Sequence, residues 1–210
     1  MAKSQTKNDG LVPPESKLER FLPWLLIVGG LLALVASISL SAEVFDRLKD
    51  PNYVPICNLN PILSCTSVAD SSQAHAFGFP NYFIGIAGYA GLTTIGVAML
   101  AGAEFKRWFW QTVQAGLSFA MAFITWLQFQ TLYRIGALCV FCMVVWAVSA
   151  PMFWYVTIYN LRQGNIKPPH RLAGLVDFSR RHHGDVLLLW FLIIIGLILR
   201  QFWYYWSTLL

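Results

Sequence analysis

The chain has 210 residues, 57% of them hydrophobic and only 12% charged, with nine Trp, a composition far from that of a soluble domain. Its formal net charge of +5 does not point to nucleic acid, because the basic residues flank apolar runs instead of forming a stripe of their own. The four cysteines are too few to staple a scaffold that a helix bundle can stabilise, which leaves them available for chemistry.

Residues 1–20 form a polar tail with Pro13-Pro14 and mixed charge, expected to be disordered and cytoplasmic. It lacks the small-residue cleavage site of a signal peptide, so the first apolar run is expected to stay as an anchor. That run, Phe21 to Ala42, has about the 20 residues that a helix needs to cross roughly 30 Å of hydrocarbon. Glu43 to Pro80 is a long polar connection carrying Cys57, Cys65 and the turn-like Asp70-Ser71-Ser72. Its apolar islands at Ile56, Ile62-Leu63 and Phe77 to Phe79 predict a partly ordered cap folded back on the bundle.

The second span runs from Asn81 to Ala101, with Gly85, Gly88 and Gly91 permitting close helix approach. A charged turn at Glu104 to Arg107 leads into the third span, Trp108 to Leu132, with Trp108 and Trp110 at headgroup level. Tyr133 to Gly136 is a tight turn and Ala137 to Tyr159 the fourth span, so residues 21–160 make a four-helix domain. Asn160 to Gly184 is basic and broken by proline, with residues 161–184 as a cytoplasmic linker; His182-His183 lack partners at ligand spacing, and no metal site is expected. Residues 185–210 hold the fifth span, Val186 to Tyr205, ending in an aromatic belt from Phe202 to Trp206. The expected fold is an all-α integral membrane protein with five transmembrane helices.

Lys and Arg counts orient it. With the N-terminus inside, the inner segments hold Lys3, Lys7, Lys17, Arg20, Lys106, Arg107, Arg162, Lys167, Arg171, Arg180 and Arg181, against Arg47, Lys49, Arg134 and Arg200 outside. Both cysteine pairs then face the oxidising, extracytoplasmic side of a plasma (cell inner) membrane.

The stretch from Gly136 to Trp146 sets Cys139 and Cys142 one turn apart at the head of an apolar run, where both sulfurs share a helix face. A helix N-terminus favours the thiolate, the form that attacks a disulfide or a quinone carbon. One pair in a loop and one at a membrane helix end are the parts of a thiol-disulfide relay. A soluble dithiol protein reaches the loop pair and a lipid-borne oxidant the helix pair. Four cysteines allow three full pairings, and the spacing does not choose among them.

The ordered set of Cys57, seven residues, Cys65, Ser71-Ser72, Asn81 at a helix head and Cys139-x-x-Cys142 resembles the vitamin K epoxide reductase family, from the first span through the fourth. The fifth span and the lack of a fused thioredoxin-like domain resemble its actinobacterial, including mycobacterial, members. The resemblance implies a membrane oxidoreductase that oxidises an extracytoplasmic thioredoxin-fold (DsbA-like) partner, passes electrons to a membrane quinone, menaquinone in such members, and so supports disulfide bond formation in exported proteins. It implies that Cys142 lies nearest the quinone, that Cys139 is its active-site partner, that Cys65 exchanges with Cys139, and that Cys57 meets the external protein. It matches Ser71 to the family's loop serine and Asn81 to the residue whose amide donates to a quinone carbonyl; read from the residues alone, Asn81 is a helix-start residue. Trp146 stands where vertebrate members have a tyrosine that hydrogen-bonds the quinone, and its indole N–H can still donate, so the resemblance implies Asn81, Ser71 and Trp146 as the quinone-binding residues but neither coumarin sensitivity nor epoxide reduction.

Three rivals are distinguishable. A family resembling disulfide bond protein B has the two cysteine patterns in the reverse order. A structural membrane protein would hold two static disulfides. A metal transporter would gather all four thiolates on one ion and line its path with intramembrane carboxylates or histidines, which the spans lack.

Overall fold

The computed structural model describes residues 17–50, 52–166, 174 and 182–207. Among them the chain is helical: α1 Lys17–Lys49, the short α2 Cys65–Ala69, α3 Tyr82–Leu100, α4 Arg107–Gln130, α5 Val140–Arg162, α6 His183–Gln201 and the single turn α7 Trp203–Trp206. The described residues form no sheet, only an isolated parallel bridge between Leu63 and Leu138. Four helices, Leu18–Lys49, Tyr82–Leu100, Val140–Arg162 and Gly184–Gln201, are long and apolar enough to cross a bilayer, and the protein is a multi-span α-helical membrane protein. The 24-residue α4 has the length, about 36 Å, but Gln111, Gln114, Gln128 and Gln130 lower its hydropathy, and it is not one of the four.

Three features depart from the sequence expectations at the first helix and the linker. Helix α1 starts at Lys17, inside the expected tail; residues 1–16 lie outside the described residues. It also runs seven residues past Ala42, because the loop supplies partners for its polar end: Tyr53 and Ile56 bond Glu43, and Arg47 pairs with Asp70. At 33 residues, about 50 Å, it stands well clear of a 30 Å hydrocarbon layer. At the other end α5 continues to Arg162, and Asn160, expected to open the linker, is fully buried. The remaining linker expectation lies mostly in residues outside the description.

Asn160 is buried because its amide is fully used. Its Nδ2 donates to Gln114 Oε1 at 3.0 Å, its Oδ1 accepts from Asn165 Nδ2 at 3.1 Å, and Gln114 in turn donates to Thr157 at 2.9 Å. A polar group in a low-dielectric seam is tolerated when satisfied this way, and the chain of bonds locks α4 to α5.

Helix α1 packs on α3 and α5, and α5 on α4. Leu22, Leu26, Ala33, Tyr89, Trp110, Leu117, Met152 and Val156 form the buried core where these helices meet. The α1–α3 seam is close because it is built on Gly30, Gly85 and Gly96; a Cβ on Gly96 would stand 2.8 Å from the carbonyl oxygen of Pro23. Gly88 and Gly91, expected in this role, have nothing within 4 Å of a built Cβ.

Helix α6 packs on α5 and on a π-helical turn, Thr131–Ile135, that ends α4. Gly136 closes that turn at φ +69°, a left-handed conformation suited to glycine. The expected aromatic belt is divided: Trp203 and Tyr204 are exposed, whereas Phe202 is buried in a cluster with Ile62, Leu138 and Trp146. The fifth hydrophobic segment therefore backs the cysteine region.

Candidate active site

The loop between α1 and α3 is ordered by its own side chains. Asn60 Oδ1 accepts the N–H groups of Ile62 and Leu63, turning the chain, and Asn58 exchanges two bonds with Thr66, at 2.8 and 3.3 Å. These latches hold the segments carrying Cys57 and Cys65 together, and the two cysteines form a disulfide. Ser64 caps α2 by accepting from Ser67 N–H, so Cys65 is the first residue of that helix.

The loop is then fastened to the head of α5. Leu138 N–H donates to Ile62 O at 2.7 Å, and Ser64 N–H donates to Leu138 O at 2.9 Å. Each segment continues directly into a cysteine, Cys65 in one and Cys139 in the other. As a result Cys57, Cys65 and Cys139 share one buried cluster.

Cys57 and Cys65 are bonded, and Cys139 and Cys142 are free thiols. The expected shared helical face needs correction. Helix α5 begins at Val140 and Cys139 is its N-cap, with extended backbone at φ −110° and ψ 123°. Its sulfur turns back over the first turn and accepts the Cys142 N–H at 3.4 Å. Cys139 precedes the spanning helix, and its thiol is held below the ordinary value by a hydrogen bond from the Cys142 thiol and by backbone N–H groups of Cys142 and Phe141, against the opposing effect of burial. Cys139 lies within the loop-disulfide cluster, and Cys142 packs against that cluster and also lines a cavity.

That cavity measures about 850 Å³ and is almost wholly apolar, with walls from α1, α3, α4, α5 and the loop. Asn81, Ser71 and Trp146 line it together with Cys142, Tyr89 and Ser149. Asn81 donates one Nδ2 hydrogen to Gln73 O at 2.7 Å, a contact that only the amide nitrogen can make. Its Oδ1 is buried without a partner, so one acceptor and one further N–H remain. Ser71 is committed locally: its hydroxyl donates to Val68 O at 2.6 Å and accepts from Ala74 N–H at 3.3 Å. Trp146 is buried in the wall that Phe202 backs. Tyr89, which the sequence reading did not single out, bonds Ser149 at 2.8 Å; because Ser149 donates to Val145 O, Tyr89 is the donor.

An apolar chamber of this size, with Cys142 and Asn81 on its wall, has room for a flat apolar molecule. No curated protein matches the chain. The model of the vitamin K epoxide reductase family matches residues 24–157, a span that includes all four cysteines, Asn81 and Trp146 and leaves α6 outside. The chain belongs to the vitamin K epoxide reductase family, membrane oxidoreductases whose thiol chemistry its two cysteine pairs suit.

Proposed function

We propose that this protein oxidises a dithiol protein of thioredoxin fold (DsbA-like) on the extracytoplasmic side of the plasma membrane and delivers the electrons to a membrane quinone, menaquinone by the actinobacterial resemblance. Disulfide bonds in exported proteins are the product. The observation that carries this reading is the position of the C-x-x-C pair between two features: Cys139 within the loop-disulfide cluster, and Cys142, packed against that cluster, on the cavity with Asn81.

In this scheme the external thiolate attacks Cys57 and releases Cys65; the partner's second thiol then frees Cys57, leaving a loop dithiol and an oxidised partner. Cys65 attacks Cys139 of an inner disulfide and releases Cys142, after which Cys57 resolves the Cys65–Cys139 bond. The product is an outer disulfide and an inner dithiol, the same pairing as the one described above. A bound quinone supplies an acceptor for two electrons and two protons. Asn81 would hold a carbonyl oxygen of the headgroup through its free Nδ2 hydrogen. Trp146 shapes the wall, Ser71 holds the loop beside the chamber, and an apolar lining surrounds Cys142.

The positive-inside count supports an inner N-terminus and five spans, with α4 as the third and α6 as the fifth. In this reading residues 21–160 are the catalytic domain, 161–184 an inner linker and 185–210 the last span. The test is quinone reduction by the purified protein in detergent, driven by a reduced thioredoxin-fold dithiol protein, for the parent and Cys142→Ala. Turnover in the parent and none in Cys142→Ala is the expected result; equal inactivity of two folded proteins with several quinones would sink the reading.

A further inference from the structure

The loop disulfide is covered. Cys57 is 3% and Cys65 2% exposed, whereas exchange requires a nucleophile to approach a sulfur. Leu40, Val68, Val140 and Phe141 pack on the cysteine cluster, and the strap from Tyr53 to Ile56 leads directly into Cys57. Pro55 of this strap is buried and, with Glu43, Arg47 and Cys65, lines a cleft of only about 10 Å³, at or below the size that admits one water.

The strap has little to hold it down. Val54 and Ile56 point outward, 72% and 73% exposed, and contribute almost no packing. Its bonds to α1 converge on one atom: Glu43 Oε2 accepts the Tyr53 hydroxyl at 2.9 Å and the Ile56 N–H at 3.2 Å, one residue before Cys57. The carboxylate, accepting that hydrogen bond, also holds the Tyr53 phenol above its ordinary pKa. Glu43 occupies the polar end of α1, the part that runs beyond the expected span.

We propose that Glu43 is a positioning residue for the outer exchange step: its carboxylate clasps the Tyr53–Ile56 strap over the Cys57–Cys65 disulfide and sets how readily an external reductant opens that bond. Its role toward a partner protein rests on the relay described above; the clasp itself does not.

The test uses the full chain in detergent with Cys139→Ala and Cys142→Ala, leaving the loop disulfide as the only one. The probe is tris(2-carboxyethyl)phosphine, which reduces the disulfide to two thiols as the phosphorus takes its oxygen from water; released thiols are counted by maleimide mass shift. Glu43→Ala is expected to open about tenfold faster than its parent, and Tyr53→Phe, which loses one of the two bonds, about threefold. Glu43→Gln keeps an acceptor and stays within about twofold of the parent. Lys49→Ala, near the same helix end but bonded only to Asp46, leaves the rate unchanged. Melting curves accompany each variant, and Tyr53→Phe carries the test should Glu43→Ala unfold.

Opening of Glu43→Ala at the parental rate overturns the proposal, as does equal acceleration by Lys49→Ala. Because the phosphine involves neither quinone nor partner, an accelerated Glu43→Ala beside an absent quinone activity in the protein with all four cysteines refutes the relay and leaves the clasp standing.

Discussion

Ser64 and Leu138 are joined by a 2.9 Å bond from the Ser64 N–H to the Leu138 carbonyl, and each is followed by a cysteine of a different pair. With the Leu138 N–H to Ile62 bond, this short parallel bridge sets Cys65 against Cys139 before any chemistry occurs. Leu138→Pro removes that N–H and leaves the Ile62 carbonyl unpaired, a loss of about 1 kcal/mol. In a Cys57→Ala, Cys142→Ala background, the effective concentration of Cys65 for Cys139, measured against glutathione, should fall roughly five- to tenfold. An unchanged value would mean that packing alone aligns the two sulfurs.

The glycines of α3 separate into two kinds. Gly96 is buried against Pro23 and Ile27 of α1, so Gly96→Leu has nowhere to go and should cost about 3 kcal/mol or more, read as loss of the folded fraction in detergent. Gly91 lines the cavity with nothing within 4 Å of its built Cβ. Gly91→Leu should fold normally and raise the KM for quinone about tenfold by filling part of the chamber. A normal KM in Gly91→Leu would argue that the acceptor binds elsewhere.

Four of the five expected spans were legible because length and apolarity are themselves the physical requirement for crossing a bilayer, and the two cysteine pairs because their order is specific. What the sequence concealed depends on long-range partners. The end of α1 looks like loop until Glu43 and Arg47 meet Tyr53 and Asp70. Asn160 looks like a linker residue until Gln114 and Asn165 satisfy it. Cys139 follows helical spacing, yet the bridge at Leu138 holds the chain extended up to it and makes it a cap. Helical periodicity finds the face of Gly85, Gly88 and Gly91, but only the crossing of α1 decides which glycine is pressed and which lines the chamber.

Gln128 is buried on α4 with neither amide atom bonded, between Ile124 and Leu132 on the same helical stripe. A buried polar group without a partner carries its desolvation cost uncompensated, whereas an apolar side chain of similar size carries none. Gln128→Leu should therefore stabilise the protein by about 1–2 kcal/mol, seen as a higher thermal midpoint in detergent. A lowered midpoint would show that the amide has a partner in the membrane-embedded protein.

Asn81 and Ser71 both line the chamber, but their hydrogen-bonding capacity differs. The Ser71 hydroxyl is spent on Val68 O and Ala74 N–H, so Ser71→Ala removes a cap and should cost about 1 kcal/mol of stability while leaving the quinone KM within about twofold. Asn81 keeps one N–H and a buried, unpartnered Oδ1 after bonding Gln73. Asn81→Ala deletes both free groups and should lower turnover at limiting quinone by about tenfold or more, the scale of a lost hydrogen bond to a developing charge. Phosphine reduction of the loop disulfide, which does not involve the chamber, should proceed at the parental rate in both variants. If Ser71→Ala impaired quinone turnover as much as Asn81→Ala with the loop still folded, then the cap's geometry, and not the Asn81 amide, would be what the headgroup reads.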